Sequence, residues 1–371
     1  MMDEFELIAR LTPSLPTNDS TVVGAGDDCA LIDLGLPDRW LLFKTDAVVE
    51  GIHFTMTAAP EKIGHKALGR CLSDVAAMAG TPTHALITLA LPADFDSGFL
   101  ERIYAGINTL AQRHGVAIVG GETTINPERM LISASVLGTV TRGKSPLRSG
   151  AKAGDAIFVT GELGGSLSGK HLDFEPRLSE ARWLAENFSI HAMMDISDGL
   201  AGDLRHILKA SKVGAELLSD AIPISHAAKS ATRAESSASP PSHEPPPQPI
   251  PLPLGGAEGA RRAGEGAVHG PNACEKRKGA SHELPLLGES ADVWTPPHPL
   301  LAALTDGEDF ELLFTAAGRD GVPLLEAWKK QFPELRLSCI GRITAEPGLT
   351  IRDKKGVRPL SAHGYVHFQK P

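Results

Sequence analysis

The residues best equipped for chemistry in this chain are carboxylates. Asp27 and Asp28 stand side by side in VVGAGDDCALI (22–32), among Val22, Val23, Cys29, Ala30, Leu31 and Ile32, side chains suited to a buried strand. An unpartnered carboxylate in a core costs several kcal/mol, so this pair needs something to hold. Further acids recur at expected element ends: Asp46 closing LLFKT (41–45), Glu122 after VAIVG (116–120), and Asp195 and Asp198 in MMDISDGL. Such positions, where backbone leaves a sheet, are where ligand-binding groups collect. Oxygen donors of this kind suit hard cations such as Mg²⁺. Thr45 offers a hydroxyl and Ser197 a polar contact. Taken singly, each acid reads more readily as a cap or turn residue; Asp198, for example, could N-cap a helix over 199–212.

Asp74 is a sharper case. On a helical wheel Ile63, Ala67, Cys71, Val75 and Met78 make one apolar stripe, and Asp74 falls inside its edge. A carboxylate there wants a metal or a cation, and the simplest cation is Arg70, four residues back. For phosphate, GGSLSGKH (164–171) nearly matches GxxxxGK[ST], but His171 stands where a P-loop needs the hydroxyl that ligates Mg²⁺. GGETT (120–124) is the better nucleotide candidate: its glycines allow close approach of phosphate, and an acid lies beside them.

The elements that must position these groups alternate in α/β fashion. Strands are expected at 41–45, 85–91, 116–120, 131–140, 156–161, 214–218, 309–315 and 335–341. Helices are expected at 60–78, started by Pro60, and at 97–114, 178–187, 199–212 and 321–331. Residues 227–299 interrupt this order. Eight of the fourteen residues from Pro240 to Pro253 are proline, and large apolar side chains are few, so the segment reads as a disordered insertion. A linker between independent domains is disfavoured, because GAELL (214–218) and DFELLFT (309–315) read as parts of one domain.

The 371 residues suffice for two domains, and 42% hydrophobic with 22% charged residues is an ordinary globular balance. A net charge of −9 argues against non-specific nucleic-acid binding, and an acidic protein that holds phosphates needs cations as intermediaries. Cys29, Cys71, Cys274 and Cys339 form no CxxC, which excludes a zinc ribbon and suggests reduced thiols in a cytoplasmic protein. MMDEFELIARL lacks the basic start and apolar run of a signal peptide, and no run of 18 apolar residues suggests a membrane span.

In combination, GAGDDCAL (24–31), KTDAVVEGIHF (44–54), KALGRCLSDVAAMAGTP (66–82), VGGETT (119–124), RSGAKAGDAIFVTG (148–161), MDISDGLAGDL (194–204), DGEDFELLFT (306–315) and HGYVHF (363–368) resemble the thiamine-monophosphate kinases, in family order. The resemblance implies the α/β (α+β) fold of the aminoimidazole-ribonucleotide synthetase group. It implies an N-terminal metal, ATP and dimerisation domain (1–146), whose mixed sheet forms a shared barrel in a homodimer. A C-terminal α/β domain (147–371) would carry the insertion. The implied reaction is ATP-dependent phosphorylation of thiamine monophosphate to thiamine diphosphate by direct transfer, without a covalent nucleophile. Asp28, Thr45, Asp46, Asp74, Glu122, Asp195 and Asp198 match Mg²⁺ ligands, with Asp27 beside them. Gly121, Arg148 and Ser197 match nucleotide contacts, and His53, Glu308 and Tyr365 match contacts of the thiamine phosphate. The chain departs from the family's usual Ser at Lys44 and Asp at Glu122. Competing readings are another ATP-using synthetase of the same fold group, or a catalytically silent relative that docks partners through the proline-rich insertion.

Overall fold

The computed structural model describes residues 4–237 and 298–365. Helix α1 (Glu4–Leu11) opens the chain, with Glu4 and Glu6 in its first turn and Arg10 in its last, the order that favours a helix dipole. Strands β1 (Thr21–Val23) and β2 (Ala30–Ile32) follow. The single buried strand expected over 22–32 is therefore two, with Asp27 and Asp28 in the turn between them and Val22 exposed. Next come β3 (Arg39–Val49), α2 (Pro60–Ala77), β4 (Thr81–Leu91), α3 (Ser97–His114), β5 (Ala117–Ile125) and β6 (Leu131–Thr141). The six strands form a mixed sheet in the order β1-β2-β3-β6-β4-β5, parallel only between β4 and β5.

The second half contains β7 (Asp155–Thr160), α4 (Leu178–Asn187), β8 (Ile190–Asp195), α5 (Leu200–Ser211), β9 (Gly214–Leu218) and α6 (His226–Ser237). It continues with α7 (Pro299–Thr305), β10 (Leu312–Ala317), α8 (Gly321–Gln331), β11 (Leu337–Thr344), β12 (Gly348–Asp353) and β13 (Gly356–Pro359). Its seven-stranded sheet runs β13-β12-β9-β11-β7-β10-β8, parallel only between β9 and β12. The insertion expected from 227 begins instead with α6, which Ser225 starts by accepting the Ala228 N–H at 3.0 Å. Residues 238–297, the bulk of that insertion, and 366–368 of the closing motif lie outside the described residues.

Alternation along the second sheet splits the core. Phe158, Met193 and Phe314 face one cluster, shared with α2, α3 and the first sheet; Ile157, Val159, Met194 and Leu313 face another, with α5 and α7. Helix α2 links the two sheets, packing on β3, β6 and β8. Its predicted stripe of Ile63, Ala67, Cys71 and Val75 is fully buried. Against α3 it comes so close that a Cβ at Gly64 would lie 1.9 Å from Ile103 O, and one at Gly106 1.9 Å from Glu61 O. The position of α2 between the sheets is what builds the site.

Candidate active site

Along one edge of α2, Lys66, Arg70 and Asp74 recur at four-residue spacing, and each meets an ion partner from another element. Lys66 Nζ is 2.7 Å from Glu308 Oε2, Arg70 Nε 3.2 Å from Asp46 Oδ2, and Asp74 Oδ1 2.8 Å from Lys44 Nζ. Arg70, the simplest cation the sequence offered Asp74, is thus taken by Asp46. Asp46 lies within β3 rather than closing it, as Glu122 lies within β5. Lys44 and Asp46, two residues apart, share the face turned to α2. Thr45 points the other way, where its hydroxyl donates to Ala134 O at 3.2 Å and accepts from Ser135 Oγ at 3.0 Å.

Asp28, Asp74 and Asp195 converge, with one carboxylate oxygen from each within 4.8 Å of the others, and all three are buried. Ser73 donates to Asp195 Oδ2 at 2.6 Å. Arg148 donates to Asp28 Oδ1 through Nη2 at 2.6 Å, while its backbone N–H donates to Asp27. Burial and the charge of Asp28 raise Asp195 to about 6, and the same two causes raise Asp27 to about 6 against the amides that hold it. Burial would discharge Lys44, but Asp74 and Asp46 hold it as an ammonium. Asp27, Asp28, Asp74 and Asp195 thus face two cations, Lys44 and Arg148. The four acids cannot all ionise cheaply without more positive charge. Asp28 Oδ2 is buried and has no hydrogen-bond partner, so the donor set fits a hard divalent cation.

Beside this trio lies a second group, Asp198, Asp203 and His206, again with ligand atoms within 4.8 Å. Gly199 occupies the N-cap position of α5 and no side chain caps it, so Asp198 does not play the capping role. Asp203 Oδ2 instead accepts the N–H groups of Ser197 and Asp198, each at 3.1 Å, and so shapes the turn that presents them. Its Oδ1 is buried without a hydrogen-bond partner. Nothing in the sequence marks Asp203, because an acid in a first helical turn is explained by the helix dipole alone.

Two cavities adjoin along this wall. A cleft of ≈ 760 Å³ is lined by Asp46, Asp74, Asp195, Ser197, Asp198 and Arg148 among others; a slot of ≈ 110 Å³ is lined by His53, Glu308, Phe310 and Tyr365. Arg70, Ser197, Asp198 and Phe310 line both. Most of the residues singled out in the sequence therefore gather here, with Asp28 buried behind the cleft. Thr45 and Glu122 do not: both point to the open face of the first sheet. Gly121 lies on the inner face, where a Cβ would stand 1.7 Å from Ile87 O, so the strand pairing alone explains this glycine.

The near P-loop is no phosphate cradle. The N–H groups of Gly164 and Gly165 donate to Asp309 and Asp306, and Lys170 pairs with Glu311 at 2.8 Å. His171 turns toward Lys66 and Glu308. Cys29, Cys71 and Cys339 are free thiols, and among the described residues no helix is long and apolar enough to cross a membrane.

Two mixed sheets joined by one helix, with acids clustered at a cleft, define the class. Residues 26–140 match the AIR synthase related protein N-terminal domain, and 152–240 its C-terminal domain. A thiamine-monophosphate kinase of Rhodopirellula baltica is 43% identical over 213 residues, spanning 56% of this chain and 67% of the relative. That of Escherichia coli (strain K12) is 34% identical across 99% of both chains. A solved structure, AaThiL complexed with AMPPCP and TMP, matches with a TM-score of 0.70 at 26% identity, over 99% of this chain and 97% of that one. The chain belongs to the thiamine-monophosphate kinase family.

Proposed function

We propose that the protein transfers the γ-phosphoryl group of ATP to thiamine monophosphate, giving thiamine diphosphate and ADP. The observation that carries this reading is the buried trio Asp28, Asp74 and Asp195 behind a cleft that shares a wall with a second cavity. Two polyanions need a site with cationic intermediaries and room for both, and the relative solved with AMPPCP and TMP supports that pairing. A new bond forms between an acceptor phosphate oxygen and the γ-phosphorus as the bond to the bridging oxygen of ADP breaks. The acceptor is already ionised near neutral pH, so no side chain acts as nucleophile or strong base.

Several Mg²⁺ ions, when bound, screen the two phosphates and stabilise the charge of an in-line transition state. We assign them to Asp28, Asp46, Asp74, Asp195 and Asp198, with Asp27 beside them; Thr45 and Glu122, which the family resemblance matches to metal ligands, lie on the open face of the sheet and would hold a separate ion there. Arg148, Ser197 and Gly121 are assigned to the nucleotide, and His53, Glu308 and Tyr365 to the acceptor. Lys44, on Asp74, supplies a fixed positive charge inside this cradle. The domain division at 146/147 and a cytoplasmic location remain part of the proposal. So does a homodimer formed through the open face of the first sheet, where Phe43 and Leu86 are exposed.

The test measures ATP consumption with thiamine monophosphate, with unphosphorylated thiamine and with no acceptor. Consumption only with the monophosphate supports the reading; equal consumption in all three defeats it. Another synthetase activity of this fold group is not favoured by the relatives.

A further inference from the structure

The P-loop-like segment finds its use away from nucleotide phosphates. Lys66 Nζ is buried and makes three contacts: it donates to His53 O at 2.6 Å and to Glu308 Oε2 at 2.7 Å, and lies 2.9 Å from His171 Nδ1. His171 Nδ1 is itself 3.1 Å from Glu308 Oε2. The backbone around this carboxylate is equally constrained. Glu308 has φ +53° and Phe310 φ +51°, a region non-glycine residues seldom adopt. The segment is pinned there by Glu308 N–H to Ser197 O at 2.7 Å, Phe310 N–H to Ile196 O at 2.8 Å, and Ser166 Oγ to Glu308 O at 2.5 Å. Strain held by so many bonds marks a side chain whose direction matters.

Resting on the kinase reading, we propose that Lys66 and His171 are positioning residues for acceptor recognition: they hold the Glu308 carboxylate toward the slot, where it selects the cationic ring end of thiamine monophosphate. The slot supplies the matching chemistry. Phe310 and Tyr365 line it beside Glu308, and a carboxylate with aromatic faces suits a positively charged heteroaromatic ring. The slot shares Arg70, Ser197, Asp198 and Phe310 with the large cleft. An acceptor with its ring at Glu308 therefore has the cleft adjoining it for its phosphate. Burial opposes ionisation of Glu308, but His171 and Lys66 overcome it and lower the group to about 2, so the anion persists at neutral pH. Histidine at 171, the departure that spoils the P-loop, is what this clamp requires.

The experiment compares wild type, Lys66→Met, Glu308→Gln, the double variant and His171→Phe, each checked by thermal unfolding. Initial rates give KM for thiamine monophosphate and for ATP separately. The expected result is an acceptor KM raised about tenfold or more in Lys66→Met and Glu308→Gln, with ATP KM within about twofold. The double variant is no worse than the poorer single one, because both act through one carboxylate. His171→Phe raises acceptor KM about fivefold, and His171→Gln recovers part of it. If Lys66 only supports the fold, the double variant, which removes both charges, recovers melting temperature and acceptor KM together, and the proposal falls. An unchanged acceptor KM in Lys66→Met or, should that variant not fold, in His171→Phe also overturns it. A wild type that transfers no phosphate defeats the kinase reading beneath it; a working wild type with insensitive variants defeats the clamp alone.

Discussion

Lys44→Ser restores the family's usual residue and removes one of the two cations set against Asp27, Asp28, Asp74 and Asp195. The ion pair is 2.8 Å long, with 22% of the lysine side chain and 9% of the aspartate exposed. Removing one partner of a buried pair costs about 3–5 kcal/mol; the partial exposure of Lys44 screens this one and places it near the lower end, about 3 kcal/mol. At about 2–4 °C per kcal/mol, the variant melts about 6–12 °C below the wild type in EDTA. A cation that binds only the folded state adds RT ln(1 + [L]/Kd), about 2.7 kcal/mol at a hundredfold excess over Kd. With one charge fewer in competition, the variant gains more from Mg²⁺ than the wild type does. Acidity gives a second axis. Burial raises Asp74 well above 3.8, against the pull of Lys44. The folded state then keeps a proton that the unfolded chain has released, so stability falls as pH climbs from 3.8 through the folded value. Loss of Lys44 steepens that fall, and the deficit is larger at pH 8 than at pH 5. Melting curves of both proteins at these pH values, in EDTA and across a Mg²⁺ titration, supply the readout. An identical Mg²⁺ response in the two proteins, or a deficit indifferent to pH, refutes the charge balance argued for the cluster.

Asp46→Asn keeps the side-chain shape but removes the charge opposite Arg70; turnover falls about 10²–10³-fold and stability by about 2–3 kcal/mol, and near-normal turnover in a folded variant removes Asp46 from the site. Asp309 is buried and accepts Gly164 N–H, and burial raises it to about 7. Its folded state holds an extra proton between 3.8 and about 7, so it weakens the fold as pH rises through that window. Asp309→Asn therefore flattens the urea-unfolding profile and is the more stable protein at pH 8; parallel profiles contradict this. Replacing residues 240–295 with a Gly/Ser linker leaves melting temperature and phosphate transfer close to wild type, since every assigned site residue lies outside them and their proline-rich sequence carries few large apolar side chains. Lost transfer with a retained fold shows instead that the insertion serves the acceptor site.

Helices with strong period and clear starts were legible in the sequence: Pro60 opens α2, and α3, α4 and α8 match their expected spans. Strand ends were not. Asp46 and Glu122 looked like terminal residues, but pairing with β6 and β4 carries both strands past them. Conversely, β10 begins at Leu312 rather than 309, because Glu308 and Phe310 adopt positive φ in the preceding loop. The acids of the site could be listed from their types and places; their partners could not. Lys44, Lys66, His171 and Asp203 act across long sequence separations or within a helix turn, where no periodicity marks them. Lys66 is the most legible of these, a lysine one turn before Arg70 on the same stripe edge as Asp74.

The most direct test of phosphoryl transfer to thiamine monophosphate follows the γ-phosphate itself. The protein is incubated with γ-labelled ATP and thiamine monophosphate, in Mg²⁺ and in EDTA, and quenched within one turnover. Label is expected in the terminal phosphate of thiamine diphosphate only with Mg²⁺, matched by ADP and with none on the protein. Label retained on the protein, released as inorganic phosphate at the same rate without acceptor, or transferred equally well in EDTA would contradict it.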